Sequence, residues 1–194
     1  VEVIRPEEEY SGKRARFLAW LGTARITVQV DLGFGDAVTT GPEEIEYPTM
    51  LAGLPVSRIQ AYPRVTSVAE KFEAMVKLGR RNSRMKDFHD IWALSAAFPF
   101  DGPALLSAVS GCFARRAMRW MPETPEALTS AFYQDAALQN RWAGYLRSGS
   151  VRAVPSSRFD EIGEQIRQFL LPVRDAAAAK ASFTLMWNPG GPWR

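Results

Sequence analysis

The chain has one cysteine, Cys112, and one histidine, His89, in 194 residues. A single thiol excludes an internal disulfide and a thiolate metal cluster, and it suits a reducing compartment, read here as the cytoplasm. A Ser-His-Asp or Cys-His centre would need His89, and nothing in the pattern points there. His89 falls on the helix face away from the acids discussed below and reads as a surface or packing residue. Cys112 sits beside Val109 and Phe113 in a helical pattern and reads as buried and inert. No apolar run approaches the ~20 residues of a membrane helix, and no N-terminal signal pattern is present, so no membrane partner is expected. Internal repeats are lacking, and low complexity is confined to Ala176–Ala179.

Charge of one sign is not in great excess either: the net charge is +3. Its distribution says more. Basic residues gather at 80–86, 115–119 and 147–158, which suits an anionic partner and leaves nucleic-acid binding open. Hydrophobic residues at 46% fit a globular protein with one sizeable domain, or two small ones sharing a core. The chain begins at Val1, and VEVIRP alternates like a strand before it breaks. This reads as the C-terminal portion of a longer protein.

The order of elements predicts an α+β fold. Residues 1–64 read as β-rich, residues 65–187 as a helical domain, and residues 188–194 as an irregular Pro/Gly tail. Lys13–Leu21 and Ala24–Leu32 read as a hairpin with Gly22-Thr23 as its two-residue turn. In the return strand Ile26, Val28, Val30 and Leu32 face one way, and Arg25, Thr27, Gln29 and Asp31 the other. Asp31 ends the polar face just before Gly33, and Asp36 beyond reads as a turn residue. Glu44–Leu51 predicts an edge strand, marked by Pro48, and Ser57–Ala61 one more.

From Thr66 the period turns helical. Ser67 and Glu70 match a capping box, Val68, Phe72, Met75 and Val76 form a buried stripe, and Gly79 is a stop. Asn82 or Ser83 can cap a second helix that runs to about Ala97. Further helices are expected at 101–118, 125–147 and 158–179, bounded by Pro122, Pro125 and Pro155.

The chemistry-bearing residues concentrate in and around Ser67–Leu94. Asp31 can hold a hard cation beside glycines that permit close approach, or simply cap a turn. Lys71 can snorkel to solvent or offer a point charge to phosphates. Asp87 and Asp90 share a face with Ile91 and Leu94, so they are expected to be partly buried and paired. Arg84 lies three residues before Asp87, and Lys86 four before Asp90, which is ion-pair spacing. Yet Arg80, Arg81, Arg84 and Lys86 crowd a helix start, where the dipole disfavours cations and a bound anion would offset them.

Three segments in this order, VQVDLGFGD, YPRVTSVAEKFEAMVKLG and SRMKDFHDIWAL, resemble the AbiEii/AbiGii-type nucleotidyltransferase toxins. That family belongs to the polymerase-β-like nucleotidyltransferase superfamily and to type IV toxin–antitoxin systems. The similarity spans roughly residues 10–100. The family's strand Asp falls on Asp31, and its A-x-K-x-x-A-like helix on AEKFEA with Lys71. Its R-x-x-K-D-x-x-D motif falls on Arg84, Lys86, Asp87 and Asp90, with the Arg one residue closer.

The resemblance implies transfer of a nucleotidyl group from an NTP, with Mg²⁺, to an acceptor such as tRNA, and a cognate antitoxin. Asp31 would be a metal ligand, Lys71 a triphosphate contact, and Asp87 the acid on the nucleotide side, with Arg84, Lys86 and Asp90 around it. The fold implied is a partial antiparallel nucleotidyltransferase sheet followed by a helical bundle. The family's earlier D-x-D acid pair does not precede Asp31 here. Two-metal chemistry needs several carboxylates, so these residues alone are expected to be inactive and a longer parent to be the enzyme. The alternatives are a catalytically incomplete nucleotide- or anion-binding module and a helical oligomerisation domain.

Overall fold

The computed structural model describes residues 2–4, 12–34, 41–49, 51–120, 123–148 and 158–194. Asp36, Pro122, Pro155 and part of the 147–158 basic cluster lie outside the described residues. The chain divides into two units, Val1–Ala37 and Val38–Arg194.

The first unit is an antiparallel sheet of β1 (Glu2–Ile4), β2 (Gly12–Leu21) and β3 (Ala24–Leu32), in that spatial order. The turn falls at Gly22-Thr23, with Leu21 paired to Ala24. Gly22 takes φ 58°, a left-handed conformation that glycine adopts without strain. Registration is continuous from Leu21↔Ala24 to Lys13↔Leu32, so the two faces are those read from the alternation.

The second unit opens with the hairpin β4 (Glu43–Tyr47) and β5 (Ser57–Ala61). β4 stops before Pro48, which lacks the N–H needed to continue a ladder. The helices follow: α1 (Arg64–Leu78), α2 (Met85–Ala97), α3 (Gly102–Arg115), α4 (Ser130–Tyr133), α5 (Ala136–Arg147) and α6 (Phe159–Ala179). Val68, Phe72 and Met75 of α1 are fully buried, while Val76 is only partly so. They share one core with Phe88 and Ile91 of α2, Val109 and Phe113 of α3, and Ile166 and Phe169 of α6.

Two local readings are corrected. The capping box does not form. α1 starts a turn earlier, behind Pro63, whose carbonyl accepts from the N–H of Thr66 and Ser67. Ser67 is therefore inside the helix, and Lys71 lies in its middle. The continuous helix over 125–147 is instead a 3₁₀ turn, Glu126–Leu128, then α4 and α5. The Thr129 hydroxyl accepts from Phe132 N, and the Asp135 carboxylate from Ala137 N and Leu138 N. Side chains of this type compete with helix continuation by capping a new start. Asp135→Ala is expected to cost about 1–2 kcal/mol, the range for a lost cap. Urea unfolding followed by circular dichroism checks this, and an unchanged midpoint would sink it.

Residues 188–194 hold no helix or strand, only an isolated bridge from Trp193 to Trp187, and just before them β7 (Met186–Trp187) pairs antiparallel with β6 (Phe100–Asp101). The side chain of Trp187 is fully buried.

Candidate functional site

Lys71 joins the two helices that carry the motif residues. Its Nζ lies 2.9 Å from Asp90 Oδ2 and 3.6 Å from Asp87 Oδ1. Both acids are on α2, three residues apart, so one turn of helix sets them side by side. Asp87 is buried and Asp90 partly exposed. The two i-spaced pairs also form: Lys86 Nζ donates to Asp90 Oδ2 at 2.8 Å, and Arg84 Nη2 to Asp87 Oδ1 at 3.3 Å. Arg84 Nε also approaches Asp87 Oδ2 to 2.8 Å, but without hydrogen-bond alignment. Asp87 Oδ2 is thus a buried carboxylate oxygen held by charge alone, which is costly unless a donor arrives. Three cations face two carboxylates, and the cluster keeps one positive charge.

Burial works to raise the Asp90 carboxyl, but the bonds from Lys86 and Lys71 outweigh it and hold Asp90 below the usual carboxylate range. The sign follows from linkage. A depressed folded-state value gives stability that is fully present above the unfolded value near ~3.9 and is lost as pH falls through the folded value. Asp90→Asn is expected to remove part of the acid limb of the stability curve below about pH 4. Thermal melts from pH 7 down to pH 3 test it, and an identical acid limb in both proteins would refute it.

The basic turn is organised differently from an open anion cradle. Arg80 bonds to Glu126 and, at 3.0 Å, to Asp135. Arg141 Nη1 donates to the carbonyls of Arg80 at 2.8 Å and Asn82 at 3.2 Å. Arg80 therefore ties the turn to a later part of the chain, and Arg84 and Lys86 serve the two aspartates. Arg81 is exposed. The Asn82 side chain accepts from Arg84 N at 2.8 Å, just ahead of α2.

His89 is a packing residue. Its ring lies 5.7 Å from that of Trp92 and 6.0 Å from that of Tyr145, with Nδ1 3.6 Å from Asp90 Oδ1. Tyr145 is the residue that sequence reasoning missed. It comes from α5 to the side of the cluster, and no local signal announces it. Burial and the negative charge of Asp90 raise its phenol. Burial likewise pushes the Cys112 thiol up to about 11, which keeps it unreactive.

Asp31 belongs to the first unit and is committed there. Arg14 Nε and Nη2 donate to its two oxygens at 2.7 and 2.8 Å across the β2–β3 pair, and Gln29 reaches Oδ2 at 3.4 Å. The guanidinium holds the Asp31 carboxyl below its usual range. It also neutralises the charge that a cation would need. Among the described residues no three His, Cys, Asp or Glu side chains are grouped to hold a metal ion. The donors described here therefore do not fit Mg²⁺ at Asp31.

The structure thus brings together Lys71, Arg84, Lys86, Asp87 and Asp90, while Asp31 stands with Arg14. Among the described residues no helix is long and apolar enough to cross a membrane. Comparison with curated proteins and with solved structures returns no match. The family described as nucleotidyl transferase AbiEii toxin, type IV toxin–antitoxin system, matches residues 1–165, which include every residue of the Lys71 cluster. The chain belongs to the AbiEii nucleotidyl transferase toxin family.

Proposed function

We propose that the Lys71 cluster is the nucleotide-facing part of a nucleotidyltransferase that takes an NTP and transfers its nucleotidyl group to an acceptor hydroxyl, with the 3′ end of a tRNA as the acceptor class. The observation that carries this reading is the cluster's own chemistry. A half-buried lysine bridges two motif helices, and beside it a buried carboxylate oxygen lacks an aligned donor. Lys71 can release Asp90, which Lys86 still holds, and turn its charge to a phosphate. Arg84 and Lys86 add positive potential. Asp87 Oδ2 then accepts from a hydroxyl or amino group of the nucleotide.

The family's chemistry implies Mg²⁺, and the donors described at Asp31, already held by Arg14, do not fit it. For the same reason residues 1–194 by themselves are proposed to bind NTP but to transfer it poorly. A cytoplasmic site of action and a cognate antitoxin, suggested by the lone buried Cys112 and by the family, complete the proposal.

The binding-module reading rests on the Arg14–Asp31 pair, which occupies the strand acid. One experiment separates the two. Labelled NTP is incubated with total tRNA and Mg²⁺, using residues 1–194 alone and joined to a segment carrying a D-x-D acid pair. Lys71-dependent transfer by the joined protein supports the enzyme. NTP binding without transfer in either form supports the module. No stabilisation by millimolar NTP at low salt sinks both.

A further inference from the structure

We propose that Arg141 is a positioning residue for nucleotidyl transfer: it holds the turn between the two motif helices, and through that turn the start of α2, where Arg84, Lys86 and Asp87 meet Lys71. This rests on the nucleotide-site reading above and adds to it a residue from α5, which the sequence motifs do not reach.

Residues 79–84 join α1 to α2. Gly79 bends the chain with φ 49°, and a Cβ there would stand 3.3 Å from Glu126 Oε2. Gly79–Arg81 is a 3₁₀ turn, closed by Asn82 N donating to Gly79 O at 3.0 Å. Such turns bond with poorer geometry than an α-helix, so contacts from outside decide how firmly this one is held.

α5 grips the turn at two points. Asp135, at its start, divides its carboxylate: Oδ1 caps Ala137 N and Leu138 N, and Oδ2 takes the Arg80 guanidinium at 3.0 Å. Arg141, further along α5, answers from the other side. Its Nη1 donates to Arg80 O at 2.8 Å and to Asn82 O at 3.2 Å. Arg80 is thus held by side chain and by backbone from one helix. Asn82 is fully buried, so its carbonyl has no water to turn to when Arg141 is lost.

From Asn82 the contacts run on to the site. α2 has no side-chain cap at Arg84, and the bond from Arg84 N to Asn82 Oδ1, 2.8 Å, fixes where the helix begins. Arg84 O then accepts from Asp87 N at 2.9 Å, and the Arg84 side chain pairs with the Asp87 carboxylate. Lys71 Nζ keeps its 2.9 Å and 3.6 Å approaches to Asp90 and Asp87 only while α1 and α2 hold this relation. A misplacement of about 1 Å at a reacting centre costs on the order of 10²-fold in rate. Arg141 itself is exposed and bonds to backbone carbonyls, so its influence on the site passes through the turn.

The test uses residues 1–194 with ATP, GTP, CTP and UTP in turn, at a temperature where circular dichroism shows each variant folded. Arg141→Met keeps the aliphatic stem and removes both bonds. Its NTP affinity is expected to fall about tenfold. The amides of Arg84 and Asp87 are expected to exchange with deuterium faster in the ligand-free variant. Arg141→Lys is expected to return both readouts to within about twofold of wild type, since the two bonds leave one nitrogen and an ammonium can donate to both carbonyls. Unchanged affinity, with or without a lower melting temperature, leaves Arg141 a structural tie and overturns the proposal. Weaker affinity with unchanged exchange is the loss of a distant charge and overturns it too, as does an Arg141→Lys protein no better than Arg141→Met. Each of those results leaves the nucleotide site standing. Wild-type protein that binds none of these nucleotides ends the nucleotide-site reading itself, and the positioning role with it.

Discussion

Lys71→Ala is expected to lower nucleotidyl transfer by about 10²–10³ in a transfer-competent form of the protein, the range for removing one preorganised transition-state donor. Lys71 Nζ is the shared partner of Asp87 and Asp90, so no neighbour replaces it at that point. Arg84 and Lys86 stand at the start of α2 itself, and each is already bound to one of the acids. In residues 1–194 alone the corresponding readout is the shift in melting temperature on adding NTP at low salt. That shift is expected to vanish in the variant. Loss of the bridge also costs stability, on the order of 1–3 kcal/mol for bonds to charged groups, because Asp87 stays buried with one cation fewer. Measuring the melt without ligand separates the two effects. Transfer at the wild-type rate in a folded Lys71→Ala protein would remove Lys71 from the site.

Trp187→Ala is expected to cost about 3–5 kcal/mol, the range for truncating a buried tryptophan. The indole is fully buried, its centroid 4.9 Å from Phe169 and 5.4 Å from Trp193. Its Nε1 donates to Ser95 O at 2.7 Å, and this bond ties the tail to the end of α2. Trp193 stacks on Phe169 and donates to its carbonyl at 3.0 Å, so loss of Trp187 loosens a second ring. Gly102 is part of the same fit. A Cβ there would stand 2.4 Å from Leu185 O, closer than real contacts allow. The expected drop in melting temperature is roughly 6–20 °C for a chain of this size. A loss below about 1 kcal/mol would show that the tail rests on the core without supporting it. This segment lies beyond residue 165, where the family match ends, yet it completes the core.

Much of the candidate site was legible because its contacts are local. Arg84 with Asp87 and Lys86 with Asp90 are three and four residues apart, and helical geometry alone makes them neighbours. The β2–β3 hairpin was legible for a similar reason. A two-residue turn and a period of two leave one register, which sets Ile26, Val28 and Val30 on the same face as Ala15, Phe17 and Ala19.

Illegible contacts were those between distant parts of the chain. Arg80 stands among four basic residues in the sequence, and its partners Glu126 and Asp135 come from far downstream. A cluster that reads as an anion site thereby becomes partly a structural tie. Lys71 had equal claims to solvent and to a cleft, and only the packing of α1 on α2 directed it to two acids. The Ser67–Glu70 pattern was a local signal that lost to Pro63, a helix start one turn earlier. The Pro/Gly tail carries no periodicity, and its order comes from tryptophans that need the finished core to bury them.

Spacing within a few turns or strand residues was enough for the faces of the hairpin, the two motif helices and the family resemblance, but not for the split of residues 126–147 or the β6–β7 pair. Tertiary structure alone decided which cations are already neutralised, that Asp31 belongs to Arg14, and that Tyr145 borders the Lys71 cluster. Those outcomes depend on which distant side chain reaches a charge first, and chain geometry over a few residues does not set that.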